Sequence, residues 1–378
     1  MKFIDCIEIV GKHSIAFEGE KKYVSTGALD VDHIDDNAVE IVTYDNKPSR
    51  ADLIVKAGDV IFAKMAGTQK NMVISEENED YIYSTGFLAI KGKEKIISAR
   101  CLNYLVTSDF FLRQKDKHSS GATQKAITNK GLENMIINVP DYSKQEKIVS
   151  QLDSVTSIIE KRKKEIELLD DFIKARFVEL FGTLDNPNQE FAKATLKELC
   201  NKITDGKHGG CKAEEGTERY FVGAREIYDD EVHYDTAPEI NIDEFEKDYK
   251  RCNIEIGDFL IVNTGATIGK SAIATDERTE HTLLQKSVAL LKVKKEVLNP
   301  VFLKWCYRVN TQMYIVESAS AQPNLLLSKI NATVIYVPNI ELQNQFVSFV
   351  EQVDKSKVVD TNIIPEGGFY YGDKFFIS

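Results

Sequence analysis

The sequence predicts an α+β protein with two tandem mixed α/β domains, each followed by a helix, which is long after the first domain and short after the second. Three observations support this prediction: a near-repetition along the chain, glycine-bounded β-branched runs inside each copy, and a heptad pattern between the copies. The chain has 378 residues and 43% hydrophobic content, which is enough for two packed cores and argues against disorder.

The repeat is clearest where each copy ends. Segment 122–140 ends at a proline and precedes a helical pattern that carries Gln145, while segment 321–338 ends at a proline and precedes Gln343. Further matched stretches are 11–13 with 206–208, 57–62 with 256–261, and 96–97 with 297–298. One module used twice would suit a protein that recognises two targets at a fixed separation.

Each copy alternates short strands with helices. We expect strands at 59–64, 81–91, 258–263 and 287–293, and helices at 99–109 and 300–314. The predicted division is a first domain at 1–140, a central helix with linker at 141–189, a second domain at 190–338, a short distal helix at 339–358 and an atypical C-terminal tail at 359–378.

The central helix is predicted over 143–182, about 57 Å at the usual helical rise. Ser143 with Glu146 suggests an N-terminal capping box, and Gly182 suggests the C-terminal cap. Its apolar seam is Ile148, Leu152, Val155, Ile159, Ile166, Leu169, Ile173, Phe177 and Leu180, and the distal helix continues it with Phe346, Val350 and Val353. Such a stripe needs a partner. A distal helix of about 18 residues would leave part of it uncovered, available for self-association or for another subunit.

Bulk composition sets limits on function and location. The net charge is −11 and acids outnumber bases in every predicted segment, so we expect weak DNA binding by the isolated chain. The six cysteines contain no C-x-x-C pair, and no apolar run reaches the ~18 residues of a membrane span. Together with an N-terminus unlike a secretory signal, this predicts a cytoplasmic protein that does not associate with membranes.

The sequence contains no complete catalytic motif. Segment 265–271 resembles a phosphate-binding loop, but three residues separate its glycines where four are required, so we interpret it as strand-turn-strand with an exposed Lys270. Segment 185–188 lacks the second proline and the aromatic of an adenine methyltransferase motif and is interpreted as a linker. The isolated histidines predict no metal site. We therefore expect a non-catalytic chain without a bound cofactor.

Polar, glycine-bearing turns recur at equivalent places in both copies. Ser, Thr, Gln, Lys, Arg and His on loops are suited to phosphate and base-edge contacts, although any one of them could be an ordinary solvated residue. The candidate DNA-binding residues are Lys12, His13, Lys64, Thr68, Lys70, Thr123, Gln124, Lys125, Lys207, His208, Arg225, Thr264, Lys270, Gln285, Lys286 and Gln322.

With these features in place, the chain resembles the specificity subunits of type I restriction-modification systems. The resemblance rests on the two proline-terminated runs, each followed by a glutamine and a heptad helix, and on segments 203–208 and 257–260. It implies two target recognition domains that each read half of a split site in double-stranded DNA. It also implies helices that pair as an antiparallel coiled coil and dock modification (methyltransferase) subunits, with restriction subunits as further partners. S-adenosylmethionine, ATP and Mg²⁺ would then belong to those partners and not to this chain.

The C-terminus departs from the family pattern. The distal helix pattern ends early, and an aromatic tail follows from Phe369 to Phe376. This raises the alternative of a truncated or inactive specificity subunit that acts mainly as a coiled-coil interaction protein. A fused restriction-methylation enzyme or a nucleotide hydrolase is a further alternative, which the incomplete motifs disfavour.

Overall fold

The computed structural model describes residues 1–122, 124–315 and 324–361, with side chains through Lys357. The chain divides into two compact units, Met1–Lys164 (unit 1) and Glu165–Val359 (unit 2). The division falls inside one long helix and not at its ends. The reason is that the N-terminal half of this helix contributes Val149 to one core, whereas its C-terminal half contributes Ile173 and Phe177 to another.

Unit 1 is built on two larger sheets and one two-stranded sheet. Its strands are β1 Ile7–Val10, β2 Lys12–His13, β3 Lys21–Val24, β4 Leu29–Asp30, β5 His33–Ile34, β6 Glu40–Val42, β7 Ala51–Ile54, β8 Val60–Ala63, β9 Asn71–Val73, β10 Ile82–Ser84 and β11 Phe87–Gly92. Its helices are α1 Phe3–Cys6, α2 Ala99–Thr107, α3 Asp109–His118, α4 Asn129–Leu132 and the start of α5, Tyr142–Phe181.

The central strand of unit 1 is buried on both faces. The first sheet has the order β1-β11-β8-β9, and the second has the order β2-β7-β10-β3-β6. Val60 and Phe62 of β8 pack against α2 and α3, whereas Ile61 and Ala63 join the core beneath the second sheet. Because alternate side chains point to opposite faces, this four-residue apolar strand joins two cores.

Unit 2 repeats the four-stranded sheet of unit 1 and one parallel strand pair of its second sheet. Its strands are β12 Ala192–Thr195, β13 Cys200–Asp205, β14 Tyr220–Val222, β15 Ile227–Tyr228, β16 Glu231–Val232, β17 Phe259–Val262, β18 Ser271–Ile273, β19 Thr282–Leu284, β20 Val288–Val293 and β21 Val334–Val337. After the C-terminal part of α5, its helices are α6 Leu196–Leu199, α7 Ile242–Asp248, α8 Pro300–Val309, α9 Leu327–Ala332 and α10 Ile340–Thr361.

The topology confirms the duplication that the sequence predicts. Sheet order β13-β20-β17-β18 matches β1-β11-β8-β9, and the parallel pair β14 and β19 matches the parallel pair β3 and β10. In β17, Phe259 and Ile261 face one core while Leu260 and Val262 face the other, as in β8. The predicted α+β class with two mixed domains is therefore confirmed.

The glutamine shared by the two copies has the same structural role in each. Gln145 is buried and donates from Nε2 to the carbonyls of Ile96 and Pro140, at 2.6 and 3.0 Å, while its Oε1 accepts from Ser98 N at 2.9 Å. Gln343, also buried, donates to Val297 and Pro338 and accepts from Asn299 N, at 2.8 to 3.0 Å. Each glutamine thus fastens a long helix to the segment that begins α2 or α8.

The long helices pair antiparallel within unit 2. Phe181 and Phe177 contact Phe346, with ring centroids 5.7 and 5.3 Å apart, and Phe172 contacts Phe349 at 5.2 Å. Residue numbers fall along α5 as they rise along α10, so the two helices run in opposite directions. The distal helix has 22 residues and ends at Thr361, slightly longer than predicted.

The seam on these helices differs in detail from the prediction. The predicted seam residues that are buried are Leu152, Ile173, Phe177, Phe346, Val350 and Val353. At the ends of α5 the fully buried residues are Val149 and Phe181, one position beyond the predicted Ile148 and Leu180. Each end of α5 packs into a different core, Val149 into that of unit 1 and Phe181 into that of unit 2, and the buried position follows that core. The predicted residues Val155, Ile159, Ile166 and Leu169 are half-buried.

Several predicted boundaries are wrong. The expected strand 81–91 is two strands, because Thr85 and Gly86 form a turn between β10 and β11. The expected helix 99–109 ends at Thr107, where the Ser108 side chain caps the next helix. The expected helix 300–314 ends at Val309, because Asn310 leaves the helical conformation.

The predicted caps of α5 have different outcomes. Ser143 lies inside the helix and is not its N-cap, since α5 begins at Tyr142. Glu146 instead forms an ion pair, with its Oε1 atom 3.6 Å from Arg100 Nη1. Gly182 follows the last helical residue with φ +73°, as a C-terminal cap requires, and Asn188 Nδ2 donates to the Val178 carbonyl at 2.8 Å. Segment 185–188 therefore belongs to an ordered capping turn.

Candidate nucleic-acid interface

Three loops of unit 1 meet where β3, β8 and β10 end. Lys64 N donates to the Gly86 carbonyl at 2.9 Å, and Ile127 N donates to the Lys64 carbonyl at 2.9 Å. Lys70 Nζ reaches the Thr26 carbonyl at 3.0 Å. These bonds join the loop 64–70 to the turns after β3 and β10 and to the segment before α4. We call this the unit 1 loop surface.

The predicted residues of unit 1 occupy this surface to different degrees. Lys64 is half-buried, and burial lowers the pKa of its ammonium group. Gln124 is exposed, and its Nε2 lies 2.6 Å from Met65 Sδ. Lys125 is exposed, Thr68 is half-buried, and Thr123 lies outside the described residues.

Lys12 and His13 lie elsewhere in unit 1. They form β2, which pairs with β7 in the second sheet. His13 Nδ1 is 2.6 Å from Asp52 Oδ2, and Asp52 also accepts from the Ser14 hydroxyl. The bond from Ser14, followed by that from His13, lowers the pKa of the Asp52 carboxyl. Within the described residues, no hydrogen bond joins these two candidates to the unit 1 loop surface.

The matching loops of unit 2 also converge. Lys207 N donates to the Leu284 carbonyl at 2.7 Å, and Lys286 N donates to the Lys207 carbonyl at 2.9 Å. Ala224 N donates to Ser287 Oγ at 3.1 Å, which brings the turn after β14 to the same place. A Cβ on Gly223 would lie 2.5 Å from the amide end of the Gln285 side chain, so this side chain packs directly against the turn after β14. These turns form the unit 2 loop surface.

Two candidates in unit 2 already have acidic partners. Lys207 Nζ lies 2.5 Å from Asp248 and 3.4 Å from Glu244, and the bond to Asp248 raises the pKa of the ammonium group. His208 Nε2 lies 3.4 Å from Asp205. The two carboxylates beside Lys207 leave less of its positive charge available for a phosphate.

Other cations keep their charge unpaired. Within residues 1–122, 124–315 and 324–357, no carboxylate lies within ion-pair distance of Lys12, Lys64, Lys125, Arg225, Lys270 or Lys286. All except the half-buried Lys64 are exposed. Unpaired exposed cations on turns favour sequence-independent contacts to phosphates, which position a protein on a duplex.

Segment 265–271 is a strand-turn-strand, as predicted. β17 and β18 pair antiparallel on either side of it, with Ile261 opposite Ser271. Thr264 Oγ1 lies 3.3 Å from Asn324 Oδ1 across an isolated bridge, and Lys270 is exposed. A phosphate-binding loop would require a helix here. Gln322 lies outside the described residues.

A half-buried charge network ties α5 to its neighbours in unit 2. Asp170 accepts from Arg308 at 3.0 Å and from Lys357 at 2.6 Å. Burial alone would raise the pKa of Asp170, but the bonds from Lys357 and Arg308 outweigh it and lower that pKa. This network fastens the C-terminal part of α10, and the sequence pattern gave no sign of it.

Sequence reasoning also missed Lys115 of α3. This lysine is 2% exposed and its Nζ donates to carbonyls of the loop that carries Lys64. Its neighbour Asp116 accepts from Gly67 N at 2.9 Å. A lysine on a helix rich in charged residues is expected to be exposed to solvent, so the sequence did not distinguish Lys115 from the other lysines of α3.

Two kinds of feature are not found in the described part of the chain. Its helices are too short or too polar to cross a bilayer. Its His, Cys, Asp and Glu side chains form no group of three or more that could hold a metal ion.

Comparisons with known proteins identify the family. The family described as "Type I restriction modification DNA specificity domain" matches residues 6–168 and 188–364. The EcoBI specificity subunit of a type I restriction enzyme from Escherichia coli is 22% identical over 273 residues, covering 64% of this chain and 56% of that protein. The HindI specificity subunit from Haemophilus influenzae is 23% identical over 151 residues, 39% of this chain and 32% of that protein.

The alignments thus span about half or less of these relatives' length. A solved chain from work on complex assembly and conformational transition of the type I R-M system superposes with a TM-score of 0.51 at 19% identity, covering 96% of both chains. That likeness concerns the fold. The matches at 6–168 and 188–364 cover most of the chain and fall on its two structural copies. The chain belongs to the type I restriction modification DNA specificity domain family, with the domain present twice.

Proposed function

We propose that this chain is the DNA specificity subunit of a type I restriction-modification system. Unit 1 would read one half of a split DNA site and unit 2 the other. The observation that carries the proposal is the match of both halves of the chain to one DNA specificity domain family. The alternatives of an interaction protein without DNA contact and of a fused enzyme have no such support.

The two loop surfaces are the proposed DNA contacts. Lys64 and Lys125 in unit 1, and Arg225, Lys270 and Lys286 in unit 2, present charge that no described carboxylate neutralises. Such cations would hold the phosphates, while Gln124 and Gln285 offer amides that suit base edges. The protein has a net charge of −11, so these local patches must act against an unfavourable overall field. Tight binding would then depend on partner subunits.

The long helices are the proposed docking site for those partners. In this proposal modification subunits bind along α5 and α10 and bring S-adenosylmethionine to the DNA, and restriction subunits with ATP and Mg²⁺ join them. The chain itself contributes recognition and scaffolding and no catalytic group.

Methylation of a randomised duplex library tests the proposal. The chain would be purified with its modification subunits, supplied with S-adenosylmethionine and given the library, and methylated adenines would be mapped by sequencing. We expect a motif split into two halves, and no methylation without the chain. A continuous motif, or methylation that does not depend on the chain, would contradict the proposal.

Exchange of one unit provides the matched control. Replacing residues 1–140 by the corresponding domain of another family member should change one half of the motif and leave the other half unchanged. A change in both halves would show that the units do not read DNA independently.

A further inference from the structure

Residues 63–68 of unit 1, which are the last residue of β8 and the first part of the loop 64–70, surround a buried ammonium group. Lys115 Nζ donates to the carbonyls of Ala63 at 3.2 Å and Met65 at 3.0 Å, and also to that of Thr68. These three carbonyls come from six consecutive residues, so the loop must curl around the cation to present them together. The loop therefore takes its curvature from a side chain on another element.

A second contact from the same helix holds the tip of that loop. Asp116 Oδ1 accepts from Gly67 N at 2.9 Å, and Gly67 has φ +70°, the left-handed conformation that favours glycine. Ala66 N also donates to the Lys125 carbonyl at 3.0 Å. Residues 115 and 116 thus satisfy three carbonyls and one amide of segment 63–68.

The burial of an ammonium group without a carboxylate partner is energetically unfavourable, which indicates that Lys115 has a functional role. Lys115 is 2% exposed, and within the described part of the chain no carboxylate lies within ion-pair distance of it. Burial lowers the pKa of Lys115 to about 8, so its charge is retained against a desolvation penalty. A methionine or leucine would avoid the desolvation penalty but would leave the three carbonyls without their donor.

Unit 2 holds the equivalent loop by another device. There a Cβ on Gly269 would lie 2.6 Å from the Tyr314 ring, so the loop 264–270 rests on an aromatic side chain. Gly269 also has a positive φ, +96°. The two units therefore hold this loop with different side chains, a tyrosine in unit 2 and a lysine in unit 1. The lysine is specific to unit 1.

We propose that Lys115 is a positioning residue that sets the conformation of the loop 64–70 and thereby the DNA half-site read by unit 1. This inference rests on the function proposed above. Lys115 is too buried to touch DNA itself. It acts through the loop, whose first and last residues are Lys64 and Lys70, and so decides where their ammonium groups and the intervening polar side chains lie.

The test compares three variants of the full chain, each assembled with its modification subunits. Lys115→Met removes the cation and its three bonds but keeps the length of the side chain. Lys117→Met, an exposed residue on the same helix, is the matched control. Asp116→Ala removes the acceptor of Gly67 N from a half-buried position, and it remains informative if the first variant fails to fold.

The readout is sequence discrimination in each half of the site, measured as relative methylation of duplexes with single base changes. We expect Lys115→Met to lower discrimination in one half by about tenfold or more, the amount that one well-placed base contact supplies, and to leave the other half within about twofold. Asp116→Ala should act on the same half with a smaller loss, and Lys117→Met should act on neither.

The outcomes separate this proposal from the one it rests on. If the unmodified complex shows no split motif, the proposed function fails. If the motif is present and folded Lys115→Met retains discrimination in both halves, the positioning role is overturned. Equal losses in both halves would indicate a general stability effect and would also overturn it.

Discussion

Replacing Gln145 by methionine should destabilise unit 1 strongly. The substitution keeps side-chain length and helix propensity but removes every hydrogen bond of the amide. Three main-chain groups then lose a partner, namely Ser98 N and the carbonyls of Ile96 and Pro140. The site is 1% exposed, so water cannot readily replace the amide.

The magnitude follows from those three groups. An unsatisfied buried donor costs ~1–3 kcal/mol, and each carbonyl, which keeps a second lone pair, costs about 1 kcal/mol. The expected loss is therefore about 3–5 kcal/mol, a large part of the 5–15 kcal/mol by which domains are typically stable. Gln343→Met should cost unit 2 about the same, because its amide makes the same three bonds.

Denaturant unfolding of the full chain, with hydrogen exchange to assign each transition to a unit, measures these losses. Gln151→Met on the exposed face of α5 is the control and should change the free energy of unfolding by less than about 0.5 kcal/mol. If Gln145→Met behaved like this control, the argument that the repeated glutamine fastens the helix to the domain would be refuted.

Three further predictions concern other parts of the molecule. Lys270→Ala should reduce the slope of log K against log salt for DNA binding by the assembled complex by about 0.9, and an unchanged slope would exclude a phosphate contact. Phe177→Ala should cost unit 2 about 3–5 kcal/mol in a thermal or chemical melt, because its fully buried ring packs against Phe302 and Phe346 at 5.5 and 5.3 Å. The lowered pKa of Asp170 predicts that its network stabilises unit 2 fully above the ordinary aspartate pKa of 3.8, and that this contribution disappears as the pH falls through the lowered value. The difference in unfolding free energy between the wild type and Asp170→Asn should therefore shrink at acidic pH, and a constant difference would contradict the pKa assignment.

The duplication and the long helices could be predicted because they leave regular patterns. Gln145 and Gln343 lie at matching positions in two similar sequence runs. The sequence match reflects the equivalent main-chain hydrogen bonds that the two side chains make. The β-branched runs of β8 and β17 also predicted strands correctly, since short apolar segments bounded by glycine seldom form any other regular structure. Seam positions were less accurate at the ends of α5, because Val149 and Phe181 each pack into the core of a different unit, which the heptad pattern does not record.

The candidate site could be predicted only in part. Lys64, Gln285 and Lys286 were identified because they follow strands in both copies, and the structure places them on the two loop surfaces. Whether a lysine is paired cannot be read from its type. Lys207 contacts Asp248, which lies 41 positions away in the chain, and Lys115 is buried against carbonyls 47 to 52 positions away. Such partners are set by tertiary packing, which no local pattern records.

Adenine methylation of the host genome at base resolution, with and without this gene, tests the central claim most directly. A DNA specificity subunit with two recognition units predicts the loss of one motif, split into two halves at a fixed spacing, when the gene is deleted. Return of the same motif when the gene is restored would complete the result. An unchanged methylation pattern in a host that expresses the modification subunits would contradict the claim.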